Sequence, residues 1–345
     1  MNPASRRVEW LDAARGIGII LVVMGHAERG LVTSGILKGD VWAVFDLSIY
    51  TFHMPLFMLL AGINVKSSLA KGTGPFLKAR ARTIAYPYAL WSLIQGAMLV
   101  AMAGVINGKG DWSKLLRIGW EPISPFWFLY ALMAFVLLVA AVGLRPRVLV
   151  PVAIAALAAS GLISGENILH QMAYMFPFFI IGALGSAAIK QWHVRWIWLP
   201  ALVAAWLAAY QIVPTDIRVP YLTPWSFPAA LAGCAFVMAL AQTVRGPLKE
   251  MLAALGRISM TIYVMHVLAT AGTRIVMVKL GIEAPGAVYL AACTAAGIAA
   301  PLIAHVVLDR LGLLPWLGLT GKLGQTARPA RSAGPQPESS APVHG

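Results

Sequence analysis

Residues 14–34 read ARGIGIILVVMGHAERGLVTS, and the fold class turns on this stretch. It is long and apolar enough for a helix that crosses a bilayer, which needs about 20 mainly apolar residues. It also holds an arginine at its start and a histidine eleven positions on, Arg15 and His26. Outward from it, nine further apolar runs follow, broken by polar or Gly/Pro stretches. The ten predicted spans are 14–34, 42–65, 84–106, 125–143, 147–164, 168–189, 196–213, 222–243, 256–278 and 286–308. Of the 345 residues, 59% are hydrophobic and 12% charged, with mean hydropathy +0.75. A soluble surface needs roughly a quarter charged residues. The composition therefore excludes a cytosolic enzyme, a disordered chain and a secreted scaffold.

The net charge of +14 is scattered in short clusters between the apolar runs, so it reads as a topology signal and not as a nucleic-acid patch. With the N-terminus in the cytoplasm, the inner segments carry 18 Lys and Arg against 8 outside. That asymmetry predicts an all-α polytopic membrane protein of about ten transmembrane helices with both termini cytoplasmic. The division follows: residues 1–13 a cytoplasmic N-terminal segment, 14–308 the transmembrane domain, and 309–345 a cytoplasmic tail. From about Thr326 that tail is rich in Pro, Ser and Gly and reads as disordered. Glu9 and Asp12 interrupt the basic start, and no small-x-small cleavage site follows, so the first run is expected to be an uncleaved span. Cys234 and Cys293 both sit in apolar stretches, which supports neither a disulfide framework nor a thiolate metal site.

An ionisable side chain at bilayer depth is costly and by default marks a site or pathway. Arg15 and His26 share one face of the first helix, about 16 Å apart. His53 lies about eleven residues into an inward-running span and His266 about ten into an outward-running one. Both arrive near the depth of His26. Three imidazoles in one layer would suit a metal, but these spans show no HxxxH or HExxH spacing and no acidic residue at comparable depth, so no metal is expected. Asp46, near the outer end of the second span, would hold an acceptor hydroxyl, orient a histidine, or simply be hydrated at the interface. Asp12 would cap the first helix or pair with Arg15. The basic stretch KSSLAKGTGPFLKARARTIAYPY, residues 66–88, is the strongest positive-inside signal. Its Arg80 and Arg82 would also suit the phosphates of an anionic cosubstrate.

These strings together resemble acyltransferase family 3, the integral-membrane O-acyltransferases, and within it the fucose O-acetylase-like branch. VEWLDAARGIGIILVVMGHA (8–27) resembles that family's first helix, with Arg15 and His26 its most characteristic pair. IYTFHMPLFMLLAG (49–62), FLKARARTIAYPYALW (76–91), PFWFLYAL (125–132), FPFFIIGAL (176–184) and GRISMTIYVMH (256–266) resemble later motifs in the same order. Ala61 stands where the family usually has serine, and Thr83 where it places a second arginine.

The resemblance implies transfer of an acyl group, usually acetyl, from cytoplasmic acetyl-CoA or another acyl-CoA to a carbohydrate hydroxyl. The acyl-CoA is a cosubstrate, and no permanently bound cofactor is implied. His26 would act as the general base that deprotonates the acceptor hydroxyl or otherwise handle the acyl group; base work needs a neutral imidazole, and burial disfavours the charged form. Arg15, Arg80 and Arg82 would bind the donor's phosphates, and the 16 Å to His26 matches the scale of a pantetheine arm. His53 and His266 would line the same cavity, orienting the acceptor or polarising the thioester carbonyl. Trp127 would pack the wall beside the acceptor. The expected partners are acyl-CoA, a carbohydrate or glycolipid acceptor and the lipid bilayer, with no nucleic acid, in a bacterial inner membrane. The rival readings are a proton-coupled transporter or flippase of a polar solute, which paired broken helices would favour, and an interaction protein without chemistry.

Overall fold

A computed structural model of the chain describes residues 8–101, 112–123, 125–321 and 323. The expected disordered tail from Thr326, Arg6 and Arg7, and the end of the third predicted span beyond Ala101 lie outside the described residues. Among the described residues the chain is all helix, with no strand. Six helical stretches are long and apolar enough to cross a membrane: Glu9–Thr33, Asp40–Leu69, Thr73–Ala101, Pro224–Thr243, Ser259–Lys279 and Gly286–Arg310. The other four predicted spans form shorter apolar helices, Trp127–Val142, Pro146–Ser160, Ile168–Leu184 and Trp196–Tyr210. Gly185 cuts one of them short, since a new short helix, Ser186–Gln191, starts beyond it.

Helix α1 (Glu9–Thr33) is the hub. It packs on Gly246–Arg257, Ser259–Lys279, Gly286–Arg310 and Phe227–Thr243. Between apolar helices in a lipid solvent the hydrophobic effect supplies little, so close packing across small residues decides which faces meet. Gly16 and Gly256 make the tightest such crossing. A Cβ on Gly256 would lie 1.8 Å from the Asp12 carbonyl oxygen, and one on Gly16 would lie 1.9 Å from that of Leu252. The helix Gly246–Arg257 thus occupies a segment read from sequence only as an inner basic stretch. A second crossing pairs Gly62 with Gly182, whose added Cβ atoms would meet the carbonyl oxygens of Phe179 and Leu59 at 2.2 and 2.1 Å.

The second predicted span is not one straight helix. It is α2 (Asp40–Tyr50) followed by α3 (His53–Gly62), with Phe52 at φ −131° and ψ −17° between them. Pro55 has no N–H to give the Thr51 carbonyl, which removes one rung of the ladder there. The Ile49 carbonyl, which a straight helix would offer to the backbone of His53, takes the ring Nδ1 of His53 instead, at 2.8 Å. The third predicted span also begins earlier than expected. Thr73–Arg80, a π-helical turn at Ala81–Ala85 and Tyr86–Ala101 run as one rod, so Arg80 and Arg82 are helical and not on a loop.

Candidate active site

Arg15, Ile19, Val22, His26 and Arg29 follow one another at intervals of three and four along α1, and so form a single stripe. All five line cavities. The facing wall comes from the α2–α3 break, which presents Tyr50, His53, Met54, Phe57 and Ala61.

Two chambers lie between these walls. The inner one is lined mostly by apolar side chains, with Arg15, Ser259 and Tyr263 the polar exceptions and Phe128, Leu129 and Leu132 on its wall. The outer one is smaller and holds His26, His53, Arg29, Tyr50, Glu166, Gln171 and Tyr221, with Trp127 on its wall. Val22, Met54 and Tyr263 belong to both and form the constriction between them. Tyr263 is fixed there because its hydroxyl donates to the Pro125 carbonyl at 2.5 Å.

The three imidazoles do meet in one layer. The His26 and His266 ring centres are 5.0 Å apart, His26 and Tyr50 6.4 Å, and Tyr50 and His53 4.6 Å. Their roles differ. His53 is on the cavity wall, whereas His266, fully buried, stands behind His26 and does not line the chamber as expected. Depth arithmetic sets a residue's height but not its direction around the helix. The Nδ1 of His266 contacts the Tyr263 and Ile262 carbonyls at 2.7 and 3.2 Å. A carbonyl oxygen only accepts, so Nδ1 carries the proton in both His53 and His266. Each neutral ring therefore presents Nε2 as a lone pair, and that of His266 is buried without a partner. Neither neutral ring offers a donor at Nε2 for a carbonyl to be polarised, which removes one of the two roles expected of them.

At the inner mouth Arg15 pairs with Asp12 at 3.0 Å, and the N-cap position falls on Val8, with no side-chain capping bond, and not on Asp12. Arg80 donates to Ser68 Oγ at 3.1 Å, keeps a buried Nε without a partner, and lies near enough to Arg15 for their charges to act on one another. Two like charges held together with a spare buried donor suit a polyanion. Arg82 faces outward and is exposed.

Above the histidines, Asp46 does not line the outer chamber but stands behind Arg29. Its two oxygens accept from Arg29 Nε at 2.6 Å and Nη2 at 3.0 Å. Arg29 in turn lies 3.2 Å over the Tyr50 ring centre and 5.3 Å from that of Tyr221. Burial pushes the Tyr221 phenol up to about 12, so it keeps its proton. Glu28, beside Arg29, is 1% exposed with Oε2 unpartnered. It is an acidic residue at histidine depth that sequence reading had assigned to none. Among the described residues no metal cluster of His, Cys, Asp or Glu is formed.

Arg29 was readable, three positions after His26 on the same face. Glu166, Gln171 and Tyr221 were not, because they lie far apart in sequence and only tertiary packing brings them over the site. The aromatic and amide-carboxylate walls of the outer chamber suit a polyhydroxylated ring, whose C–H faces stack while its hydroxyls are hydrogen-bonded.

The family profile described as "Acyltransferase domain" matches residues 8–306. The nodulation protein NolL of Sinorhizobium fredii is 30% identical over 199 residues, 54% of this chain and 51% of its own length. The nodulation protein NolL of Mesorhizobium japonicum is 27% identical over 206 residues, 56% of this chain and 53% of its own. The chain thus spans about half the length of the curated relatives it matches. No solved structure matches it significantly.

Proposed function

We propose, from the premise that this chain belongs to the acyltransferase family whose domain it matches over residues 8–306, that it is an integral-membrane O-acyltransferase. It moves an acyl group, acetyl in the first instance, from cytoplasmic acyl-CoA to a hydroxyl of a cell-surface carbohydrate or its lipid-linked precursor. In this reading the six long and four shorter apolar helices make ten spans with both ends inside, in a bacterial cytoplasmic membrane. The single observation that carries it is the abutment of two unlike chambers along α1, one with an arginine mouth and one with histidines, meeting at Val22, Met54 and Tyr263.

Arg15 and Arg80 hold the donor's phosphates, and the pantetheine arm lies in the apolar inner chamber. The thioester reaches the constriction, where the acceptor waits in the outer chamber. His26 removes the proton of the attacking hydroxyl, and the His266 ring, 5.0 Å away centre to centre, backs the His26 ring from behind. The deciding experiment reconstitutes the purified protein with labelled acetyl-CoA and candidate glycans. Label appearing on a glycan hydroxyl is expected. Label that stays on CoA while a solute crosses the membrane would instead establish the transporter.

Two variants test the division of labour. Arg80→Ala raises the KM for acyl-CoA about 10- to 100-fold with kcat little changed, the size of a lost charge-assisted hydrogen bond. Arg82→Ala changes it far less. The reverse order, read from initial rates against acyl-CoA concentration, would move the phosphate site outward. Met54→Ala widens the constriction, so the ratio of kcat/KM for propionyl-CoA to that for acetyl-CoA rises about tenfold, the scale of one methylene in an apolar slot. An unchanged ratio would mean that the acyl group does not pass Met54.

A further inference from the structure

The histidine layer holds three lone-pair or proton-accepting groups, yet acyl transfer also develops negative charge on the thioester oxygen, which must be met by a donor. The described donors around the outer chamber are largely committed. Tyr263 gives its proton to Pro125, Gln171 Nε2 bonds Glu166 at 3.1 Å, and Arg29 Nε and Nη2 bond Asp46. Tyr221 shares a hydrogen bond with Arg29. Tyr50 is different. Its side chain lines the chamber, is 7% exposed, and its hydroxyl is buried without a partner.

The ring that carries this hydroxyl is clamped. The Arg29 guanidinium lies 3.2 Å over its centre, and the His53 ring meets it edge-on at 4.6 Å. A Cβ on Gly25 would lie only 3.0 Å from its Cε2, so the ring rests against bare backbone one residue before His26. Burying a hydroxyl without a partner is unfavourable, and rigid placement beside the base makes it useful only if a substrate atom completes the bond. A cation against the ring face also strengthens the phenol as a donor.

We propose that the Tyr50 hydroxyl is a catalytic residue, the hydrogen-bond donor to the carbonyl oxygen of the thioester as it becomes an oxyanion. The inference rests on the acyltransferase reading above. The acceptor hydroxyl gives its proton to His26 while its oxygen bonds to the carbonyl carbon, and the carbonyl electron pair moves onto oxygen, which Tyr50 stabilises without releasing its own proton. Collapse re-forms the carbonyl and breaks the carbon–sulfur bond. The departing CoA thiolate then takes the proton from the His26 imidazolium.

The test is Tyr50→Phe in the full chain reconstituted with acetyl-CoA and the acceptor glycan. The ring and its contacts remain, so kcat falls about 100-fold, as for loss of one oxyanion donor, with both KM values within about threefold. Placing 3-fluorotyrosine at position 50 restores the hydroxyl and, with it, the rate, which a folding defect would not allow. Wild-type kcat in Tyr50→Phe overturns the inference, as does an effect confined to the acceptor KM, which would make Tyr50 a sugar contact only. It is likewise overturned if Trp127→Phe carries the kcat loss in its place. A wild-type protein that transfers no acyl group at all would sink both this inference and the reading beneath it, whereas an active wild type with an indifferent Tyr50 sinks only this one.

Discussion

Replacing His26 with alanine is expected to lower kcat for acyl transfer by about a thousandfold, the range set by loss of a positioned general base, and to leave acyl-CoA binding intact. The two effects separate because the phosphate contacts and the base sit about 16 Å apart on one helix. Among the three imidazoles, His26 is the one open to the chamber without a ring bond to a neighbouring carbonyl. His53 and His266 are tied through Nδ1 to the carbonyls of Ile49 and Tyr263. His266→Ala, by removing the ring packed behind His26, is expected to cost less, about ten- to a hundredfold, because the base remains but loses its backing. Product formation from labelled acetyl-CoA measures the first effect, and titration calorimetry with CoA measures the second. Should His26→Ala retain activity within tenfold of wild type, the base is one of the tethered rings or there is none. Should it abolish CoA binding, the two ends of α1 do not act separately.

How much of this was legible in the chain depends on which geometric coordinate was needed. Position along a helix is fixed by a constant rise, so the convergence of His26, His53 and His266 on one layer could be read from counting residues. Direction around the helix is less certain over many turns and depends on breaks, so the place of His266 behind His26 could not. The break itself had a local signal, Pro55 six residues before Ala61 within an apolar run, but hydropathy alone smooths over it. Arg29 entered only as one of the outer charges in the topology count, and Glu28, two residues past His26, contradicts the expectation of no acidic residue at that depth. Burial of Glu28 and the pairing of Arg29 with Asp46 depend on α2 folding back beside α1. The motif strings were visible as strings, but their purpose was not. Gly16, Gly62, Gly182 and Gly256 fall within them and are the points where helix backbones touch, so part of the pattern encodes packing and not chemistry.

That distinction makes a prediction about stability. Gly256→Ala adds a single methyl group, yet its carbon would lie 1.8 Å from the Asp12 carbonyl oxygen, 2.8 Å from its carbon and 3.0 Å from the Gly16 nitrogen. These are backbone atoms inside a helix, so no rotamer change relieves the overlap, and α1 must move away from Gly246–Arg257 by more than an ångström. Overpacking of this kind costs about 3 kcal/mol or more when backbones have to separate. Helix propensity works the other way, favouring alanine by about 1 kcal/mol, and is too small to compensate. Gly272→Ala supplies the control, since it sits in the long helix Ser259–Lys279 with nothing within 4 Å of its added Cβ; there only propensity acts, and the variant should be as stable as wild type or slightly more so. Thermal unfolding and monodispersity in detergent compare the two. Because Arg15 follows Asp12 by three residues and pairs with it, whatever Gly256→Ala protein does fold should also bind acyl-CoA more weakly, although residue 256 touches neither chamber. Equal stability of the two variants would mean that the Gly16–Gly256 crossing yields without cost, and the rigid wall on which the placement of Arg15 depends would have to be sought elsewhere.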